Sequence, residues 1–436
     1  MHIRQLVLLP VLVGTAAPVL GQQPESWSSP VTSDSTLQAL VAEALERNPT
    51  VAQRQAAVRA AALRIRPAGT LPDPILNVGV MNLPLPSLAF RQSDFTEVDV
   101  ELMQEILWPG ALGARADGAR AAAGEVRGEA AVVRRDVAAA MAAAYYRLSY
   151  AATALEILSR QRELLQAAVR LSTTRYATGS APQSDPLQAR LARDRLRSEE
   201  AALQGEYAVA LAQVNALRAR AAGTPAPLRR LDAQSLSAVV RALPPLDSLV
   251  VRAAETHPRI AARQAAVERA ARTIDVERLG ARPDFTLGVR YGHRPQLEFG
   301  FDPPDFFSAF VSVRVPLWAA RKQNRLADAA RADSVAAEAG YREAELEVGR
   351  AVAETAALVE AARRRLGLLV DGVLPSARAT VESVLRSYQV GRTEFLTLLA
   401  VEDARYRAEL EAATVAAEYR TQLFVLRELT REESEQ

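Results

Sequence analysis

The chain has 436 residues, of which 49% are hydrophobic and 24% charged, so it is too long for a peptide and too apolar for a disordered polymer. Its 53 basic and 51 acidic residues leave a formal net charge of +2, which excludes the strong bias that nucleic acid or an anionic membrane surface selects. It has no cysteines, which removes disulfides, thiolate metal sites and cysteine nucleophiles.

Arg4 precedes an apolar run from Leu6 to Leu20 that contains Gly14, Ala16 and Ala17 and stops before Gln22 and Gln23, the pattern of a secretory signal. The run is interrupted by Pro10 and Pro18 and falls short of the roughly 20 residues of a membrane-spanning helix. Residues 1–21 therefore read as a signal peptide cleaved after Gly21, and residues 22–36 as a flexible N-terminal segment. No later stretch reaches roughly 18 consecutive apolar residues, so membrane insertion of the mature chain would use β-strands or peripheral contact.

The rest of the chain carries one plan twice. Asn48-Pro49-Thr50-Val51 is echoed by His257-Pro258-Arg259-Ile260, and Arg54-Gln55-Ala56-Ala57-Val58 by Arg263-Gln264-Ala265-Ala266-Val267, at an offset of 209 residues. The same offset carries Pro74 onto Pro283 and Gly79-Val80 onto Gly288-Val289. Leu107-Trp108 falls on Leu317-Trp318 with one inserted residue, and Tyr176 and Gly179 fall on Tyr388 and Gly391 at an offset of 212. Composition alone would not keep prolines, glycines and tryptophans in register. Residues 37–230 form the first repeat, 231–245 a linker, 246–432 the second repeat and 433–436 a tail.

Each repeat opens with a short helix ending near Asn48 or His257, where the following proline suits the first turn of a second helix that runs to about Arg66 or Leu279. Two alternating segments follow in each half, near 75–82 and 94–104 in the first, 284–292 and 306–316 in the second, and read as strands. Long helical stretches come next, about 112–174 and 185–222, then 319–388 and 394–432. A helix of roughly 60 residues is on the order of 90 Å long and needs neighbours along its whole length. Leu366, Val370, Val373, Ala377, Val381, Val384 and Tyr388 step by three and four as a coiled-coil seam does.

The strands sort their side chains by face. Val98, Val100 and Leu102 oppose Glu97, Asp99 and Glu101, and Phe307, Ala309, Val311, Val313 and Val315 oppose Phe306, Ser308, Phe310, Ser312 and Arg314. One face suits lipid and the other water, in segments near the length of a tilted transmembrane strand. Four strands cannot close a barrel and an open edge in lipid leaves backbone groups unsatisfied, so several copies must share one barrel.

The order helix, helix, strand, strand, long helix pair, twice over, resembles the TolC-type outer-membrane efflux family. Asn48-Pro49, the tip sequence Tyr176-Ala-Thr-Gly179 followed by Asp185, and Tyr388-Gln-Val-Gly391 are the matching motifs, and the resemblance covers nearly the whole mature chain. Leu107-Trp108-Pro109-Gly110 particularly resembles members serving metal or drug pumps of the resistance-nodulation-division type. The fold class expected is α+β and mainly α: long antiparallel coiled-coil helices forming an α-helical barrel, plus four transmembrane strands per protomer in a shared β-barrel. The resemblance implies a homotrimer in outer-membrane lipid with its helices in the periplasm. It implies a passive channel of a tripartite efflux system, in which a periplasmic adaptor docks on the tip and an inner-membrane pump supplies the energy. A periplasmic coiled-coil adaptor or scaffold is the alternative.

Candidate working residues follow from this plan. The periplasmic tips, near 176–185 and 388–397, place Tyr176, Gly179, Asp185, Tyr388, Gly391, Arg392 and Glu394 as gate or adaptor contacts. Glycine permits the left-handed turn and Asp185 is expected to cap the returning helix. Tyr388, Arg392 and Glu394 are expected to tie the helices together in a closed tip. Where family members often carry inward aspartates, this chain has Thr397 and Ala400, with Glu402 and Asp403 nearby as substitutes. Glu97, Asp99 and Glu101 are expected to line the barrel lumen and favour cations. No catalytic, cofactor-binding or metal-ligating set is visible: His2, His257 and His293 are scattered, and Lys322 is the only lysine.

Overall fold

A computed structural model describes residues 27–431, so the expected signal peptide at 1–21 and tail at 433–436 lie outside the described residues. The first repeat comprises α2 (Ser35–Arg47), α3 (Pro49–Ala68), β1 (Ile75–Met81), β2 (Glu97–Ile106), α4 (Ala111–Ala177) and α5 (Ser184–Leu217), preceded by a single turn, α1 (Ser29–Thr32). After α6 (Ala233–Val239) the second follows as α7 (Leu246–Thr256), α8 (Pro258–Leu279), β3 (Asp284–His293), β4 (Phe306–Arg314), α9 (Gln323–Leu368), α10 (Leu374–Gln389) and α11 (Phe395–Thr430). A π-helical turn, Leu369–Val373, joins α9 to α10.

The repeat shows in the local chemistry. Asn48 caps α3 by accepting from the Thr50 N–H at 2.9 Å, and His257 caps α8 by accepting from the Arg259 N–H on Nδ1 at 3.2 Å. In both halves proline takes the first helical position, where its missing N–H is not needed. Asp117 and Arg120 pair on α4 as Asp328 and Arg331 do on α9, an offset of 211. At Tyr176 and Tyr388 the offset is 212, and the π turn takes up the extra residue because it spends five residues where an α turn spends four. It also changes the seam: Leu369 and Leu374 are buried, whereas Val373 is 45% exposed.

Two expectations are corrected. Of the expected flexible segment 22–36, the described residues 27–36 are not free: Val31 is fully buried, and Asp34 caps α2 through the Leu37 N–H at 3.2 Å. The Asp34 carboxylate also accepts from the Tyr145 hydroxyl at 3.3 Å and faces Arg420 at 3.5 Å, which ties the segment to α4 and α11. The linker 231–245 is not merely a connector, since it folds as α6 with Leu231 and Leu236 buried. The apolar side chains at its start give it a core to dock on.

Three buried clusters lie in series along the long helices. The largest gathers α2, the middle of α4, α7, α9 and the end of α11 around Met141, Tyr145, Tyr146, Val352 and Tyr419. A second joins α4, α5 and α11 through Ile157, Leu165, Leu203 and Tyr406. The third, Ala189, Tyr388, Phe395 and Leu398, closes the hairpin ends. Towards the sheet the helices approach through small residues: a Cβ added at Gly128 would lie 2.7 Å from the Ala262 Cβ of α8.

Candidate functional site

At one end of the molecule lies a four-stranded antiparallel sheet in the order β1-β2-β3-β4, with the outer edges of β1 and β4 unpaired. The register places Asn77 opposite Glu101, Glu101 opposite Arg290 and Arg290 opposite Ser308, so one face carries the polar side chains. The other face carries Leu76, Val78, Val80, Val100, Leu102, Leu287, Val289, Phe307, Val311 and Val313, all between 42% and 73% exposed. A contiguous apolar surface of this kind is costly in water and marks a contact with lipid or protein. Among the described residues no helix is long and apolar enough to cross a membrane.

The polar face largely pairs with itself. Arg290 donates to Glu97 at 2.8 Å, Asn77 donates to Glu101 at 3.2 Å, and Arg314 bridges Glu105 at 2.9 Å and Asp284 at 3.4 Å. Asp99 is buried and its Oδ1 has no hydrogen-bond partner. Of the expected acidic stripe, Glu97 is therefore neutralised by Arg290, a residue the alternating pattern hid because any polar side chain satisfies that pattern. Among the described residues no ion pair joins Asp99 or Glu101 to a basic side chain. Beyond the sheet the β1–β2 and β3–β4 loops join, Arg91 donating to the Gln296 carbonyl at 2.7 Å and the Glu298 N–H to the Arg91 carbonyl at 3.1 Å.

The hairpin ends lie at the opposite pole of helices on the order of 100 Å long. Both turns close identically. The Gly179 N–H donates to the Tyr176 carbonyl at 3.0 Å and the Ser180 N–H to that of Arg175 at 2.8 Å, while Gly391 donates to Tyr388 at 3.0 Å and Arg392 to Ser387 at 2.9 Å. This is the Schellman arrangement, and the glycines stand at φ +70° and +76°, which side chains with a Cβ rarely adopt.

Between the turns, the Arg175 guanidinium donates to the Tyr388 carbonyl at 3.0 Å and sits 4.7 Å from the Tyr388 ring centre. Tyr388 is 2% exposed and packs on Phe395 with ring centres 5.6 Å apart. Burial pushes its hydroxyl pKa up, Arg175 opposing and Asp185 reinforcing the shift. The inter-hairpin tie thus runs through Arg175, which the repeat pattern does not single out. Its signal in the sequence is a break in the repeat, since Ser387 stands at the matching position.

The other expected tip residues are placed differently. Asp185 does not cap α5: Gln183 is the N-cap, and Asp185 lies buried in the first turn, where its charge still suits the helix dipole. Tyr176, Arg392 and Glu394 are not buried within this chain, and Tyr176 is 45% exposed. Thr397 and Ala400 are not buried either, Glu402 is paired with Arg405 at 3.0 Å and Asp403 with Arg407 at 2.8 Å.

Near the midpoint His257 sits in a small cavity with Arg135, Asp136, Arg259 and Glu347. Burial and the two guanidiniums lower its pKa to about 4. It is therefore neutral at ordinary pH, as its capping role demands. Arg135 holds the ends of two helices here, donating to the carbonyls of Glu428 at 2.9 Å and Arg431 at 2.7 Å at the end of α11 and to that of Thr256 at 3.2 Å at the end of α7.

The sequence profile of the family described as outer membrane efflux protein matches residues 40–236 and 249–430. Protein CyaE of Bordetella pertussis is 27% identical over 240 residues, a stretch covering 53% of this chain and 48% of that protein, so the chain spans about half the length of this curated relative. Among solved structures, CusC, described in terms of transmembrane channel formation, superposes with a TM-score of 0.77 at 17% identity, covering 92% of each chain. The outer membrane protein VceC from Vibrio cholerae gives 0.74 at 17% identity, covering 93% of this chain and 98% of that one. These likenesses are to the fold.

Proposed function

We propose that this chain, which belongs to the outer membrane efflux protein family, is the exit duct of an efflux system, a channel in the outer membrane whose helices extend it through the periplasm. The observation that carries the reading is the sheet. It exposes a continuous apolar face and leaves two edges unpaired, at the end of helices of which none, among the described residues, is long and apolar enough to cross a membrane. In hydrocarbon such a sheet is viable only when copies close it into a barrel, with the apolar face outward and the polar face lining water. Three copies giving four strands each make that closure, and the helices continue the wall below it. The membrane-channel description of CusC, which shares this fold, supports the same reading.

The family is one of transport ducts rather than enzymes. The work of transport belongs to an inner-membrane pump, and a periplasmic adaptor links that pump to the hairpin ends. The Arg175–Tyr388 tie keeps the two hairpins of each protomer together and so favours a narrow tip. A periplasmic adaptor or scaffold role would leave the apolar sheet face without a partner. Planar-bilayer recording of the purified protein tests the proposal. Discrete conductance steps from an oligomer are expected, and a soluble monomer that never inserts would overturn it.

A further inference from the structure

The strands of the sheet contain three glycines, Gly79 in β1 and Gly288 and Gly292 in β3, and by alternation all three stand on the polar face. Glycine weakens a strand interior and in return lets another group approach the backbone closely. Here each glycine is overlaid by a side chain from a neighbouring strand. A Cβ at Gly79 would lie 3.0 Å from the Asp99 Oδ1, one at Gly292 2.7 Å from the Glu97 Oε2, and one at Gly288 2.2 Å from the Phe310 Cζ.

Two of these slots are one device used twice. Gly79 stands opposite Asp99 in the first hairpin and Gly288 opposite Phe310 in the second, so the glycine recurs at 209 residues and its cover at 211. The helices carry the same pair of offsets: Arg54-Gln55-Ala56 of α3 recurs in α8 at 209, and the Asp117–Arg120 ion pair of α4 recurs in α9 at 211. The two covers differ in kind. Asp99 lies low enough to be only 7% exposed. Phe310 is half-buried where every other residue of β4 is exposed, because its ring leans across β3 with the far edge in the Gly288 slot.

Resting on the channel reading above, we propose that these slots set the bore of the barrel, and that Gly288 limits the size of cargo by holding the Phe310 ring down against the wall. A barrel of about eight strands is filled by its own side chains, and one of about sixteen leaves an aqueous channel. Three copies of a four-stranded sheet fall between these, so the width at each level depends on how far the side chains there stand from the wall. The polar face is the one turned to the lumen, and in the slots Glu97, Asp99 and Phe310 lie along it. The repeat carries the Gly79 slot onto the Gly288 slot, so two in each copy ring the lumen at one level. Phe310 is the larger cover, and resting on the backbone removes part of its apolar ring from the water of the duct. A methyl group at position 288 fills the slot and displaces the ring into the lumen.

Because the chain has no cysteine, one introduced on the polar face reports on the lumen. Thr286 lies two residues from Gly288 on that face, on the side away from the β3–β4 loop, so a reagent from outside reaches it only past the Phe310 level. Thr286→Cys is labelled in intact cells with membrane-impermeant maleimides carrying polyethylene glycol chains of increasing size. Adding Gly288→Ala should abolish reaction with the largest reagents that label the single variant and leave the smallest reagent unaffected. Adding Phe310→Ala as well should restore the largest, because the obstruction is the ring and not the methyl group. Phe310→Ala without Gly288→Ala forces nothing to move and should leave the size limit where it is. A wider limit in that variant, or an unchanged limit with Gly288→Ala, would overturn the role of the slot and leave the channel reading standing. Failure of even the smallest reagent to reach Thr286→Cys would overturn both.

Discussion

The Arg175 guanidinium reaches from the first hairpin to donate to the Tyr388 carbonyl of the second at 3.0 Å while lying over the Tyr388 ring. The contact joins the last turn of α4 to the last turn of α10, and among the described residues it is a hydrogen bond directly bridging the two Schellman turns. Arg175→Ala removes a hydrogen bond from a charged group and a cation–π contact, together worth about 2 kcal/mol. A change of that size moves a closed-to-open ratio by roughly 30-fold. Bilayer conductance should therefore rise in Arg175→Ala, and also in Tyr388→Ala, which removes the buried ring that packs on Phe395. Arg392→Ala is informative by contrast, because an effect there requires a partner on another copy. Unchanged conductance in all three would remove this contact from the closed state.

On the polar face of the sheet, Asp99→Asn with Glu101→Gln should reduce cation preference, read as a shift of the reversal potential in a salt gradient towards zero. Glu97→Gln should act on stability as well, because it strands the half-buried Arg290 and costs about 1–3 kcal/mol. A reversal potential that does not move places these carboxylates away from the conducting path.

His257 makes stability depend on pH. Its folded pKa of about 4 lies below the ordinary 6.5, so the unfolded chain binds the proton first as pH falls. The contribution is complete above pH 6.5 and is lost progressively down to pH 4, to a total of about 3 kcal/mol. His257→Asn, which copies the Asn48 cap of the first repeat, should keep the helix start and flatten thermal midpoints across that window. An equally steep decline in the variant would assign the pH dependence to another group.

At Gly128 α4 lies close against α8, and a Cβ there would clash with the Ala262 backbone as well as its side chain. Gly128→Ala should cost about 1–3 kcal/mol through forced separation of the helices. Gly113→Ala, where a Cβ meets nothing within 4 Å, is the control in the same helix. Urea or thermal unfolding of both variants decides it.

Much of this architecture is legible in the sequence because it is periodic. Asn48 and His257, Gly179 and Gly391, and the alternating residues of β2 and β4 each signal an element through spacing that the backbone enforces. What spacing does not carry is which side chain completes a tertiary contact. Arg175 and Arg290 are hidden for that reason, as each acts on a residue about 200 positions away through geometry that only the folded chain provides. The π turn is hidden because a single inserted residue leaves the apolar count of the seam unchanged while rotating Val373 outward and Leu374 inward. Asp185 misleads for a simpler reason: the cap of a helix need not be its first acidic residue, and here it lies two positions earlier, at Gln183.

In the proposed arrangement the chain spans the outer membrane with its joined loops outside and its hairpin ends inside. Because it lacks cysteine, thiol labelling of intact cells reads this out residue by residue. Phe299→Cys, in an exposed loop beyond β3, should react with a membrane-impermeant maleimide in intact cells, and Ser180→Cys, at the first hairpin end, only after the outer membrane is permeabilised. Equal protection of both positions until permeabilisation would contradict that arrangement.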